Sequence, residues 1–238
     1  MLPIQSREVQ SPLSGFSKLA ERDNGLEELA MKIAIIGAGN VGSALAASAL
    51  KAGHTLSISA SKADSAEQTA ARIGAQAART NKDAVEGAEM VILAVPGDAL
   101  DSVVRELGRA LEGKIVVDVT NQMSPDALCE SAAERVQKQA PGARVVKAFN
   151  TAFASHHADP QVDGTNVDAF VAGDDAEAKK AVLRLAEQIG FRPVDAGGIK
   201  MARALEGMAL LNIQLNMRGQ DWSWQSGWKL LGPTGPTV

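Results

Sequence analysis

Three glycines carry the most chemical information in this sequence. Gly37, Gly39 and Gly42 stand in the G-x-G-x-x-G spacing within MKIAIIGAGNVGS, residues 31–43. The first glycine allows a tight turn, the second lets backbone approach a pyrophosphate, and the third lets the following helix pack close to the strand. Asn40 and Val41 fill the turn between them, and the free N–H groups of the helix start would bind phosphate oxygens. The motif gains weight from its setting. The preceding Ile33, Ile35 and Ile36 read as a buried parallel strand, and the following Ala44, Ala46, Ala47 and Ala49 read as a helix.

In an open α/β sheet a ligand lies beyond the carboxyl ends of the strands, so the residues just after each strand are the next to read. After the second strand, where an NAD-binding site carries an acid for the ribose 2′-hydroxyl, the chain has Ser59, Ala60, Ser61 and Lys62. A hydroxyl and an ammonium suit a 2′-phosphate instead. Charge-assisted hydrogen bonds of about 1.5–3 kcal/mol would favour NADP over NAD by about one to two orders of magnitude. Val95 and Pro96 after the fourth strand, and Asn121 after the fifth, would border the nicotinamide half. Asn150, Thr151 and Phe153 after the sixth stand where a second substrate would meet the nicotinamide.

Other reactive side chains offer little. His156 and His157 read as adjacent, solvent-exposed loop histidines with no acid partner, and His54 reads as structural. Cys129, the single cysteine, is placed mid-helix with nothing near it to activate a thiol. The chain has no tyrosine, which removes a Tyr-x-x-x-Lys proton donor, and no metal-ligand spacing is present. A nicotinamide site without an evident acid or base is most simply explained by alignment of two hydride carriers.

The elements that must position these residues alternate regularly. Strands are expected at 32–36, 55–59, 76–79, 90–95, 114–119, 144–149, 168–172 and 192–195. Helices are expected at 41–51, 63–73, 83–87, 99–111, 125–139 with Pro125 at its first position, 176–190 and 199–217. This alternation predicts an α/β fold, a Rossmann-type doubly wound, mainly parallel sheet with a small C-terminal α/β part. Residues 1–30 are expected to be an extension before a natural start at Met31, with at most a short helix over 16–29. Residues 31–150 would form the dinucleotide-binding domain, and 151–238 the substrate-side and dimerisation region.

Composition bounds the rest. The chain has 238 residues, 45% hydrophobic and 22% charged, with a formal net charge of −4 and no long basic run, which argues against nucleic acid as a partner. No stretch is apolar enough to span a membrane, and one cysteine suits a reducing compartment, so a cytoplasmic location is expected. Trp222, Trp224 and Trp228 crowd the tail and suggest a packed C-terminal strand or a dimer contact more than ligand stacking. Leu205, Met208, Leu211, Ile213 and Leu215 make the last helix apolar on more than one face, which suits a homodimer.

The segments KIAIIGAGNVGSALA, VILAVP, VVDVTN, KAFNT, AGDDAEAKKAV and FRPVDAG together resemble the NADPH-dependent deazaflavin reductase family, over nearly all of the chain after residue 30. The resemblance implies hydride exchange between NADP(H) and 8-hydroxy-5-deazaflavin (coenzyme F-420). It implies that Gly37, Gly39, Asn40, Val41, Gly42, Ser61 and Lys62 hold NADP. It also implies a deazaflavin pocket over Val95 and Pro96, walled by residues 150–153 and 197–205, with Lys147, Lys200, Arg203 and Arg218 as the basic groups available to its mouth. Two residues depart from the family pattern: Lys62 stands where arginine is common, and Asn150 where archaeal members carry histidine. Reduction of another small acceptor (an imine, ketone or ferric chelate) and a non-catalytic NADP-binding redox sensor are the alternative readings.

Overall fold

The computed structural model describes residues 30–122, 129–219 and 222–232. The chain runs β1 (Lys32–Ile36), α1 (Asn40–Lys51), β2 (Thr55–Ser59), α2 (Ala63–Ile73), β3 (Gln76–Ala77), α3 (Asn81–Val85), β4 (Met90–Leu93), α4 (Leu100–Leu107), β5 (Ile115–Asp118), α5 (Ala132–Gln139) and β6 (Arg144–Lys147). It continues through α6 (Ala154–Ala158), β7 (Gln161–Val162), β8 (Thr165–Asn166), β9 (Asp168–Gly173), α7 (Ala176–Gln188), β10 (Arg192–Gly197) and α8 (Ala202–Met217). Eight strands form one sheet in the order β10-β9-β6-β5-β4-β1-β2-β3. All pairs are parallel except β6 with β9. The six strands from β3 to β6 have the order 3-2-1-4-5-6, which reverses between β1 and β4 and opens a crevice there.

Both faces of the sheet are covered, which is why its central strands are apolar throughout. Ile33 and Ile35 point to one face, with α1 and α7, while Ala34 and Ile36 point to the other, with α3, α4 and α5. Successive side chains on a strand alternate faces, so a five-residue run of this kind supplies two cores at once. Burying a Leu, Ile or Val side chain contributes about 1.5–3 kcal/mol, and the fully buried Ile35, Ile58, Ile92 and Val117 form the centre of that gain.

The structure corrects several expectations. The helix expected from Pro125 begins at Ala132, where Ser131 and Glu134 form a reciprocal capping box that fixes its start; Pro125 itself lies outside the described residues. Cys129 therefore precedes that helix, exposed, and is not mid-helix. The extension over 1–29 also lies outside the described residues. The last helix opens with a 3-10 turn over Ile199–Met201. No strand forms in the tail among the described residues. Instead the tail crosses the sheet edge, with Asp168 N–H donating to the Trp228 carbonyl and buried Asp168 accepting from Arg192 and from Leu230 N–H. Unforeseen are α6 and the β7–β8 hairpin, whose two-residue Asp163-Gly164 turn has positive φ at both positions.

His156 and His157, expected in an exposed loop, are buried in α6. His157 packs against Phe149 and Phe191, with ring centroids 6.1 and 5.7 Å away, and neither of its ring nitrogens has a partner among the described residues. Burial first, and then the neighbouring His156, push its imidazole down from 6.5 to about 3. The native state therefore binds fewer protons here than the unfolded chain between those values, so stability is lost as pH falls below 6.5. From pH 7 to pH 5 the expected loss is about 2 kcal/mol. Urea unfolding at both pH values tests this, and His157→Phe should remove the loss; an unchanged pH dependence in that variant contradicts the assignment.

Candidate active site

A cavity of about 560 Å³ opens at the carboxyl ends of β1 and β4. It is lined by Ile36–Gly39 after β1, by Ala60, Ser61 and Ser65 after β2, by Ala94–Pro96 after β4, by Ala99, Ser102, Val103 and Glu106 at and along α4, and by Asn81 of α3. The three glycines differ in what they do. Gly37 has φ +117°, and a Cβ there would lie 2.2 Å from the Ala94 carbonyl oxygen. A Cβ on Gly42 would lie 2.0 Å from the Gly37 carbonyl oxygen, so this glycine sets how closely α1 approaches β1. A Cβ on Gly39 would meet nothing within 4 Å. That open space lies at the N-cap of α1, where no side chain caps the helix and its first N–H groups face outward. A pyrophosphate fits a cradle of that kind, on geometry and on the positive end of the helix dipole.

Gly37, Gly39, Ser61, Val95 and Pro96 thus line the cavity, while Asn40 and Val41 continue the first turn of α1 beside it. Lys62 is exposed at the N-cap of α2, one residue beyond Ser61. Ser59 is placed differently from the expectation of direct ligand contact. It is fully buried, and its hydroxyl donates to Asn81 Oδ1 at 2.8 Å, so it orients a residue that lines the cavity.

Farther along the same edge, Asn121 and Asn150 form a reciprocal amide pair. Asn121 Nδ2 donates to the Asn150 carbonyl at 3.0 Å, and Asn150 Nδ2 donates to Asn121 Oδ1 at 2.9 Å and to the Leu205 carbonyl at 3.0 Å. The pair joins the ends of β5 and β6 to α8. Asn150 is consequently buried, held by these contacts rather than open on a pocket wall, and Thr151 beside it is buried as well; Asn150 Oδ1 and Thr151 Oγ1 have no partner among the described residues. Phe149, just before them, has φ +63°, a conformation that costs a bulky residue about 1–3 kcal/mol and is tolerated only where packing holds it. Phe153 is half-buried and meets Trp224 edge-on at 5.4 Å. Trp224 has φ +59°, and its N–H donates to Asn216 Oδ1.

Sequence reasoning missed a buried ionic cluster directly beneath this edge. Lys147 Nζ donates to Asp118 Oδ2 at 2.8 Å, to Glu206 Oε1 at 2.8 Å and to the Thr120 carbonyl at 2.6 Å, and all three side chains are buried. Lys147 is therefore not at a pocket mouth. Arg203 is not free for that role either, since it makes a two-pronged ion pair with Glu134. Burial pushes the Glu206 carboxyl up against the opposing pull of Lys147. Among the described residues there is no His, Cys, Asp or Glu cluster that could hold a metal, and no helix is long and apolar enough to cross a membrane.

Sheet order, switch-point crevice and glycine turn define a Rossmann-type dinucleotide-binding protein. The family described as "NADP oxidoreductase coenzyme F420-dependent" matches residues 32–122. A curated F420-dependent NADP reductase of Methanocaldococcus jannaschii is 33% identical over 214 residues, 79% of this chain and 93% of that protein. The rat metalloreductase STEAP3 is 32% identical over 212 residues, 86% of this chain but 42% of its own length. A solved structure of a hypothetical protein from Sinorhizobium meliloti superposes with a TM-score of 0.63 at 34% identity, covering 76% of this chain and 89% of that one. The chain belongs to the F420-dependent NADP reductase family of oxidoreductases.

Proposed function

We propose that the protein transfers hydride between NADPH and an 8-hydroxy-5-deazaflavin coenzyme. The observation that carries this reading is the cavity at the β1/β4 switch point, with an open cradle at Gly39, in a chain similar along most of its length to F420-dependent NADP reductases. Bound there, the nicotinamide supplies the hydride chemistry. The α1 N-terminus holds the pyrophosphate, and Ser61 and Lys62 hold the 2′-phosphate. Val95, Pro96 and Asn121 border the nicotinamide, and the Asn150–Phe153 loop carries the acceptor side. Residues 31–150 in this reading hold the dinucleotide, and 151–238 supply the acceptor face and the contact between subunits.

Hydride addition to the deazaflavin carbon leaves an anion that takes up one proton, and solvent water at the open cavity supplies it, so no side chain is assigned as the acid. Holding two flat carriers at attack distance contributes about 7–11 kcal/mol, which is a task for rigid walls. The Asn121–Asn150 pair, tied to α8 through the Leu205 carbonyl, gives the acceptor side that rigidity. The test is isotopic. NADPH deuterated at the transferred position should pass its label to the reduced deazaflavin without washout into solvent; label lost to water, or no reduction, contradicts direct transfer.

Lys62→Glu is expected to lower the NADPH-to-NADH affinity ratio by about 100-fold, because a charge-assisted contact is replaced by repulsion. Titration of both dinucleotides measures it, and an unchanged ratio removes Lys62 from the phosphate site. The protein acts as a homodimer in this reading. Support comes from the exposed apolar side chains Leu211 and Met217 of α8, 49% and 65% exposed, and from the half-exposed Trp222 and Trp224 that follow in sequence. A monomer in sedimentation at micromolar concentration contradicts it. A single cysteine, exposed and unpaired, fits a reducing cytoplasm.

A further inference from the structure

We propose that Glu106, held by Asn81, recognises the exocyclic amino group of the adenine base, so that the site selects adenine over other purines. This rests on the reading that the cavity holds NADP(H). With the pyrophosphate at the start of α1 and the 2′-phosphate at Ser61 and Lys62, the base must lie in the rest of the cavity on the β2 side. The lining left for the base includes apolar Ala99 and Val103 and the hydrogen-bonded polar pair Asn81 and Glu106.

The hydrogen bonds fix what those two groups present. Ser59 Oγ, fully buried, donates to Asn81 Oδ1 at 2.8 Å, and Asn81 Nδ2 donates to Glu106 Oε2 at 2.9 Å. A carboxylate only accepts, so the Asn81 amide nitrogen must face it, and its oxygen must face the serine. One N–H of Asn81 and Oε1 of Glu106 then remain without a partner among the described residues. A donor beside an acceptor is the complement of adenine, whose ring nitrogen accepts beside an amino group that donates. Hypoxanthine carries a carbonyl oxygen in place of that amino group, so in the same ring position it sets an acceptor against the carboxylate.

The placement of Glu106 is otherwise unfavourable. It stands in the last turn of α4, where the helix dipole disfavours an anion, and it lines a cavity that would take a polyanion. A hydrogen bond from the base offsets both. The buried Ser59, which cannot reach a ligand, acquires a role in the same scheme as the residue that orients Asn81.

The experiment compares dissociation constants of NADPH and of its hypoxanthine counterpart, without acceptor, for the unmodified protein and for Glu106→Gln. The unmodified protein should favour NADPH by about 10- to 100-fold, the range for loss of a hydrogen bond to a charged group. In Glu106→Gln the Asn81 N–H still engages the side-chain oxygen, which turns the new amide N–H groups toward the base. The preference should therefore fall to about unity or reverse. Any relief of repulsion toward the phosphates strengthens both dinucleotides alike and cancels in the ratio. Glu106 is exposed, so the variant should fold with an unchanged melting temperature. A preference below about twofold in the unmodified protein, or the same preference in both proteins, overturns the assignment while NADPH binding itself stays intact. Absence of NADPH binding to the unmodified protein overturns the dinucleotide reading and this inference with it.

Discussion

Gly39→Val is expected to weaken NADPH binding by more than about 100-fold while leaving the fold intact. The reason lies in the contrast among the three glycines. At Gly39 the backbone has φ −75°, which valine adopts freely, and a Cβ meets nothing within 4 Å. The stability change should be no more than about 1 kcal/mol, the range for a poorer N-cap residue. The side chain would instead fill the space in which phosphate oxygens reach the helix N–H groups, and several charge-assisted hydrogen bonds would be lost together. Gly37→Ala should behave in the opposite way. Its positive φ and the 2.2 Å approach to the Ala94 carbonyl mean that backbone must move, so unfolding precedes any effect on the ligand. Dinucleotide titration alongside thermal melting separates the two. Tight NADPH binding by Gly39→Val would show that the phosphates lie elsewhere.

Lys147→Met is expected to destabilise the protein by about 3–5 kcal/mol, the cost of leaving buried carboxylates without their cation. Lys147 joins β5, β6 and α8 through three hydrogen bonds from one ammonium group, and among the described residues Asp118 and Glu206 have no other cation beside them. Adding Asp118→Asn and Glu206→Gln to Lys147→Met should recover at least half of the loss. Those changes remove the charges but keep oxygens that accept from Thr120 N–H and Ala132 N–H. Urea unfolding of the single and triple variants measures both steps. A single variant within 1 kcal/mol of the unmodified protein would show that the cluster does not hold these elements together.

The dinucleotide half of the fold was legible because its signals are local. Residues 32–36 read as a strand because a parallel strand buried on both faces needs an apolar run, and Gly37, Gly39 and Gly42 read as a strand-to-helix turn because the turn imposes their spacing. Ser61 lies two residues past the end of β2, so strand prediction alone brings it to the cavity. What escaped depends on partners distant in sequence. Lys147 counts in the sequence among the basic groups available to a pocket mouth, although its position inside the apolar run VVKA was the clue to its burial. Its register partner across the sheet is Asp118, and Glu206 comes from a helix 59 residues on. His156 and His157 read as exposed because nothing in their own segment announces Phe149 and Phe191 as neighbours. Asn81 and Glu106 meet only after α3 and α4 have packed on the sheet, and the expected α3 began two residues too late to include Asn81 at all.

In the proposed function one cavity aligns NADPH with a deazaflavin for direct hydride transfer, with the single proton taken up from solvent. The decisive experiment is rapid mixing of the protein and NADPH with the oxidised deazaflavin coenzyme, following loss of its visible absorbance with NADH as control. Rapid bleaching with NADPH and little with NADH is expected. Tight NADPH binding without bleaching would contradict it and leave a dinucleotide site serving a different acceptor.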